Sequence, residues 1–218
     1  HLDEPTTLTQ FKDSLIRRAK RILPPVIVLV VVILIYMAIF NPTLFSLSLS
    51  DGIASLFNVS NWWFIIKKVD YFNSFNTSPF KHLWYLGVTE QFFLIFTGAI
   101  HLIKKTTSSP QQRRRYAQLF FLATIIISLT LHLVIYDVDT ISRVYYGTDT
   151  RIFTPMLGAL LASFVPRASL LKEVDTKYKK SISVIAGVGL VIYIFLMITL
   201  SEYSLGLYKG GFFAIALL

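Results

Sequence analysis

Apolar residues along the chain gather into long runs separated by short polar stretches, instead of recurring as stripes at helical or strand spacing. The runs cover Leu23 to Phe40, Trp84 to Ile103, Ala117 to Tyr136, Ile152 to Val165, Ser181 to Leu200 and Gly211 to Leu218. Crossing a hydrocarbon core of roughly 30 Å takes about 20 helical residues. The fourth run is short of that, so its span must borrow from YYGTDTR and extends over about 146–165. The sixth is too short to cross and ends with the chain. The pattern therefore predicts an all-α, polytopic transmembrane helix bundle built from about 23–40, 84–103, 117–136, 146–165, 181–200 and a truncated 211–218.

The connections differ sharply in charge. RRAKR at Arg17 to Arg21, Lys104 to Arg115 and Arg167 to Lys180 hold fourteen of the 21 Lys and Arg residues and occupy alternate connections. The positive-inside rule places all three in the cytoplasm. Asn41 to Leu83, Asp137 to Arg151 and Ser201 to Gly210 then lie outside. Topology and contact with anionic headgroups account for most of the net charge of +9. Nucleic-acid binding is not expected, because the charge is divided among short loops.

The first external segment is long enough to be structured. DGIASLFNVSNWWFII predicts a short helix lying at the membrane interface, with Asp51 as its N-cap and the indoles of Trp62 and Trp63 at headgroup level. Tyr71 to Pro79 reads as loop.

Two charges are expensive where they stand. Glu90 lies six residues inside the span that begins at Trp84, roughly 9 Å below the external boundary. A carboxylate at that depth needs a partner in the bundle interior. Arg151 is drawn to a similar depth by the shortness of its span, with Asp149 beside it. The expectation is that Glu90 and Arg151 line one polar cavity open to the outside. His82 falls near the face of Glu90 at the cavity mouth. His132 either joins the cavity or bonds a neighbouring helix, and His101 lies near the cytoplasmic boundary. The four His residues are dispersed, no metal-ligand spacing is present, and no metal site is expected.

These motifs also carry a resemblance. KHLWYLGVTEQFFLIF is similar to the HLWSLxxEEQFYLxWP pattern of the integral-membrane acyltransferase family 3, and YYGTDTRIFTPMLGALLASF to its YYGTDTRxxxLLxGxxLA. SNWWFIIKKVDYFNSFNTSPFKHLW and IRRAKRILP resemble further stretches in the same order, over about 150 residues. The SNWW and YYGTDTR forms look most like the branch that O-acetylates peptidoglycan or secreted polysaccharide. The resemblance implies an enzyme that moves an acetyl group from cytosolic acetyl-CoA, as donor substrate and not as a permanently bound cofactor, to a glycan hydroxyl outside the membrane.

On that resemblance Arg17, Arg18 and Arg21 meet the phosphates of CoA, and Glu90, Arg151 and Asp149 serve the acyl path or its external end; His82 is a further catalytic candidate from its place at the mouth. A guanidinium suits either phosphate or a developing acyl oxyanion. An esterase-like extracytoplasmic domain, fused or as a partner, is a further implication. The chain departs from the family pattern at Thr89, where a first glutamate is usual, at Tyr85, and at Phe96 and Thr97. The family's first helix, with its Arg and His, has no counterpart in these 218 residues, so the resemblance puts the general base upstream of residue 1 and makes the chain a fragment. A transporter or flippase built on an intramembrane Glu/Arg pair is the alternative reading.

Overall fold

The computed structural model describes residues 7–70, 78–137, 141–164, 176–199 and 206–217, and among them every regular element is helical. Helix α1 (Leu8–Phe40) starts at a capping box in which Thr7 and Gln10 bond reciprocally. Its 33 residues give a length of about 50 Å, well beyond the apolar run 23–40. The helix continues through Pro24 and Pro25, which remove two backbone donors and leave the carbonyls of Lys20 and Arg21 without their i+4 partners.

Asn41 ends α1 and also caps α2 (Pro42–Leu56), its side chain accepting from the Leu44 amide at 3.1 Å, with Pro42 at the first helical position. The chain therefore reverses at once. Helix α2 packs back along the upper half of α1, with Gly52 against Val30 and Leu34. A turn at Phe57–Val59, in which Asn58 adopts φ 55°, leads into the short α3 (Ser60–Ile66).

The stretch 51–66 thus holds the short helix expected around Trp62 and Trp63, but it begins at Ser60 and Asp51 is not its N-cap. Asp51 is inside α2, 4% exposed, and caps nothing. Its carboxylate accepts from Lys67 Nζ at 2.7 Å and from Trp63 Nε1 at 2.9 Å. These bonds clasp α3 onto α2. Most of Tyr71 to Pro79 lies outside the described residues.

A 3-10 turn at Lys81–Leu83 opens α4 (Trp84–Thr106), and α5 (Pro110–Ile135) returns beside it. Arg113 donates to the Thr107 carbonyl at 3.2 Å and closes the turn between them. Phe96 stacks on Phe121 at 5.6 Å, which sets the register of the pair. These two helices and α1 are long and apolar enough to cross a membrane.

The expected span 146–165 is not one helix. It is α6 (Ile141–Tyr146), α7 (Thr148–Arg151) and α8 (Phe153–Phe164), broken at Gly147 and Ile152. A Cβ on Gly147 would fall on the Arg143 guanidinium and on the side chains of Asp149 and Thr150, so the break needs glycine for space. Met156 and Leu157 of α8 bury themselves against Phe121 and Ile125 of α5, and Ser128 Oγ accepts from the Phe153 amide at 3.3 Å.

Helix α9 (Thr176–Thr199) covers most of the expected span 181–200, its side chains from Ser183 onward almost all exposed. A π-turn at Leu207–Gly211 and helix α10 (Phe212–Leu217) form the terminal apolar run, and Phe212 and Phe213 pack against the α5/α8 cluster. Of the expected connections, 167–175 and 201–205 lie outside the described residues.

Helices α1 and α4 are antiparallel neighbours. Phe11 stacks on His101 at 5.0 Å, and Val26 and Val30 pack with Phe80 and Leu83. Gly87 brings α4 onto the α2–α3 turn, since a Cβ there would stand 2.9 Å from the Asn58 carbonyl oxygen and 2.8 Å from Asn61 Oδ1. Gly87→Ala should therefore cost about 1–3 kcal/mol in detergent unfolding, whereas Gly98→Ala and Gly158→Ala, which meet nothing within 4 Å, should be neutral or stabilising. Equal effects at all three positions would show that the turn does not sit on Gly87.

Candidate functional site

The partner of Glu90 is Arg18. Arg18 Nη2 donates to Glu90 Oε1 at 2.7 Å, and Arg18 Nε donates to Oε1 at 3.0 Å and Oε2 at 2.9 Å. The guanidinium also lies 4.2 Å from the centroid of the Phe93 ring. Both side chains are mostly buried, 22% and 15% exposed. Planar, multiply bonded Arg–carboxylate contacts fix orientation as well as charge. The sequence expectation had put Arg17–Arg21 at the cytoplasmic boundary and Glu90 near the external one, but the two positions touch. Helix α1 runs past α4 with its charged end beside α4's apolar interior.

The pair lines a cavity of about 300 Å³, walled by Leu15, Ala19, Ile22 and Leu94 and closed at one end by Phe57–Val59 of the α2–α3 turn. Gln91 is the next wall residue, and its amide is fully used. Its Nε2 donates to the Asn58 carbonyl and to Asn61 Oδ1, each at 3.0 Å. Its Oε1 accepts from Trp62 Nε1 at 2.9 Å and from Thr148 Oγ1 at 2.6 Å. Asn61 Nδ2 in turn donates to Thr148 Oγ1 at 2.8 Å and to the Tyr146 carbonyl at 3.2 Å. Three stretches far apart in sequence, SNWW, TEQF and YYGTDTR, meet at this one amide. Satisfied buried networks of this kind define a single geometry.

A second cavity, about 340 Å³, lies on the other side of Gln91 between α4 and α5. Ile95, Phe120, Ile127 and Ile152 make it largely apolar, and Trp62, Thr148 and Asp149 form its polar end.

The remaining predicted residues stand elsewhere. Arg151 does not share a bond with Glu90. Its guanidinium is sandwiched between the rings of Phe212, at 3.9 Å, and Tyr145, at 4.4 Å, and its Nε donates to the Tyr145 carbonyl at 3.2 Å. Asp149 is held by Arg143 through two bonds of 3.0 and 2.6 Å, with Arg143 over the Trp62 ring. His82 is exposed on the 3-10 turn and lines neither of these cavities. His132 bonds a neighbouring element, its Nδ1 standing 3.2 Å from the Thr150 carbonyl, to which it donates. Arg17 and Arg21 are exposed on α1, on either side of Arg18 in sequence.

Sequence reasoning missed Gln91, Asn61 and Arg143. The available signals were weak: Gln91 is adjacent to the costly Glu90, and Arg143 precedes Asp149 by six residues. The Arg18–Glu90 contact predicts strong coupling. Glu90→Leu and Arg18→Met should each lose about 3–5 kcal/mol of stability, and the double variant distinctly less than their sum. Strict additivity in a double-mutant cycle would show that the pair is not formed.

Comparison with known proteins agrees with this assembly of motifs. Residues 6–218 match the acyltransferase family 3 model, described as an acyltransferase domain. The chain is 38% identical over 205 residues to O-acetyltransferase OatA of Staphylococcus aureus, covering 92% of this chain and 32% of that protein. It is 38% identical over 216 residues to peptidoglycan O-acetyltransferase OatA of Listeria monocytogenes, covering 96% and 33%. A putative O-acetyltransferase of S. aureus is 36% identical over 217 residues, covering 99% and 35%. The chain thus spans about a third of the length of the relatives it matches. No solved structure matches it. With the family's motifs folded onto one buried network and its domain matched from residue 6 to the last residue, this chain belongs to the acyltransferase family 3.

Proposed function

We propose that this chain is part of a membrane O-acetyltransferase that moves an acetyl group from cytosolic acetyl-CoA to a hydroxyl of an extracytoplasmic glycan, either peptidoglycan or a secreted polysaccharide. Support comes from the relatives, one of them named for peptidoglycan O-acetylation, and from the membrane-crossing helices. The observation that carries the reading is the Arg18–Glu90 pair: a carboxylate fixed by three hydrogen bonds at the wall of a cavity between spanning helices.

The overall reaction exchanges a thioester for an ester. The sugar oxygen bonds the acetyl carbon, the C–S bond breaks, and the hydroxyl proton passes by way of a base to the departing CoA thiolate, which is released as thiol. Glu90 serves this chemistry by orienting the reacting groups, because Arg18 fixes where its oxygens stand. Arg17 and Arg21, exposed on the same helix, take the phosphates of the donor, and the Lys/Arg-rich segments 17–21, 104–115 and 167–180 face the cytoplasm. The GTDTR turn supports the site from behind. Thr148 reaches Gln91, while Arg151 and Asp149 are anchored by the Phe212 and Tyr145 rings and by Arg143.

Membranes holding the full-length protein should transfer label from acetyl-CoA to peptidoglycan. Glu90→Gln should lower kcat by about a hundredfold or more, and the Arg17→Ala/Arg21→Ala pair should raise KM for acetyl-CoA about tenfold while leaving kcat nearly unchanged. Undiminished turnover by Glu90→Gln would remove that residue from the reaction.

A further inference from the structure

Helix α1 changes character at Pro24 and Pro25. Its buried residues, Val26, Val30 and Met37, all follow the prolines, where Phe80, Leu83 and α2 cover the helix. Residues 8–23 contain no buried side chain. This lower part meets α4 through Phe11, stacked on His101 at 5.0 Å, and through Arg18, bonded to Glu90 and lying over the Phe93 ring. Around Arg18 the space between the helices is the 300 Å³ cavity itself, with Leu15, Ala19 and Ile22 on the α1 side and Leu94 and Phe57–Val59 facing them. One half of α1 is packed and the other is held at two points.

The two prolines at the junction are exposed, so burial does not offset what they cost. Each disfavours a helix interior by about 3 kcal/mol relative to alanine, and together they leave the Lys20 and Arg21 carbonyls without i+4 amides. Helices bend at such positions. The cavity wall divides at the same place. Every α1 residue in it precedes Pro24, whereas Phe57–Val59, Glu90 and Leu94 belong to the body against which upper α1 is packed. We propose that residues 8–23 form a hinged wall of the Arg18–Glu90 cavity: the arm pivots at Pro24–Pro25, the Arg18–Glu90 pair latches it shut, and parting of that pair opens the cavity along the α1–α4 seam. A turn of about 20° at Pro24 moves Arg18 by about 3 Å and Lys12 by about 6 Å, in proportion to their distance along the helix.

The inference concerns the motion of a helix, and it stands or falls separately from the acetyl-transfer reading. The 218 residues contain no cysteine, so pairs of spin-labelled cysteines can be placed in the full-length protein once any cysteine elsewhere is replaced. Lys12→Cys with Leu119→Cys measures the arm against α5, and Ile35→Cys with Leu119→Cys measures upper α1 against the same reference. All three positions are exposed, and none lines the cavity.

Double electron–electron resonance on the protein in lipid nanodiscs reads the two distance distributions. Releasing the latch by Glu90→Gln, or from the other partner by Arg18→Met, should lengthen the 12–119 distance by about 6 Å and leave 35–119 unchanged. Adding Pro24→Ala and Pro25→Ala should remove at least half of that shift. With the latch intact, the same two proline replacements should narrow the 12–119 distribution, a comparison that needs no latch variant to fold. No lengthening in either latch variant would overturn the hinged wall, as would an unchanged 12–119 width once both prolines are replaced. Lengthening that persists in full without the prolines would place the pivot elsewhere, and an equal shift at 35–119 would show α1 moving as one body; either result contradicts the proposal.

Discussion

A guanidinium and a carboxylate from separate helices fix how the first part of this chain assembles. The Arg18–Glu90 contact sets the register of α1 against α4, and the rest of the arrangement follows from that register. With Arg18 at the level of Glu90, the apolar run 23–40 extends past the start of α4, where Phe80, Leu83 and α2 cover it. The chain therefore reverses at Asn41 and Pro42 and packs its next helix onto α1. The tip of that hairpin, Phe57–Val59, closes one end of the cavity in which the pair sits.

Around this contact the architecture separates two kinds of polar group. Ion pairs join neighbouring elements: the buried Asp51 of α2 with Lys67 at the end of α3, and Arg143 with Asp149 across the Gly147 break. Neutral amides and hydroxyls do the internal joining. Gln91 uses both oxygen lone pairs and both N–H groups on four partners, an economical way to join three segments without burying charge. Because Gln91 follows Glu90 directly, rigidity of this network reaches the carboxylate through one peptide unit. It also stands in the wall of both cavities.

Much of the fold was legible in the sequence, for identifiable reasons. Long apolar runs report long apolar helices directly, so α4 starts where expected and ends three residues late, and α5 ends one residue short of its expected limit but begins seven residues earlier, at Pro110. Breaks inside an apolar run do not alter hydropathy, so the division of 146–165 into α6, α7 and α8 was hidden, although YYGTDTR contains the glycine at which the chain breaks. Asp51 looked like a helix cap because an acid before an apolar stretch is a common N-terminal signal, but its partners Lys67 and Trp63 lie 16 and 12 residues away and follow an unpredicted reversal at Asn41. Depth arithmetic identified Glu90 as needing a partner, and Arg151 was chosen because its distance from its own span's end matched. Arg18 was assigned to the cytoplasmic boundary by the positive-inside rule, which assumes that a cation cluster ends a span. In the structure the cluster lies inside the 33-residue α1, with Arg18 level with Glu90.

The pairing register of α1 and α4 is tested most directly by distance-restricted cross-linking. A short bifunctional thiol reagent applied to the full-length protein should join Phe11→Cys to His101→Cys efficiently. It should leave Phe11→Cys with Trp84→Cys unjoined, since these lie at opposite ends of the α1–α4 contact. Efficient joining of positions 11 and 84, with none between 11 and 101, would contradict the register and with it the Arg18–Glu90 site.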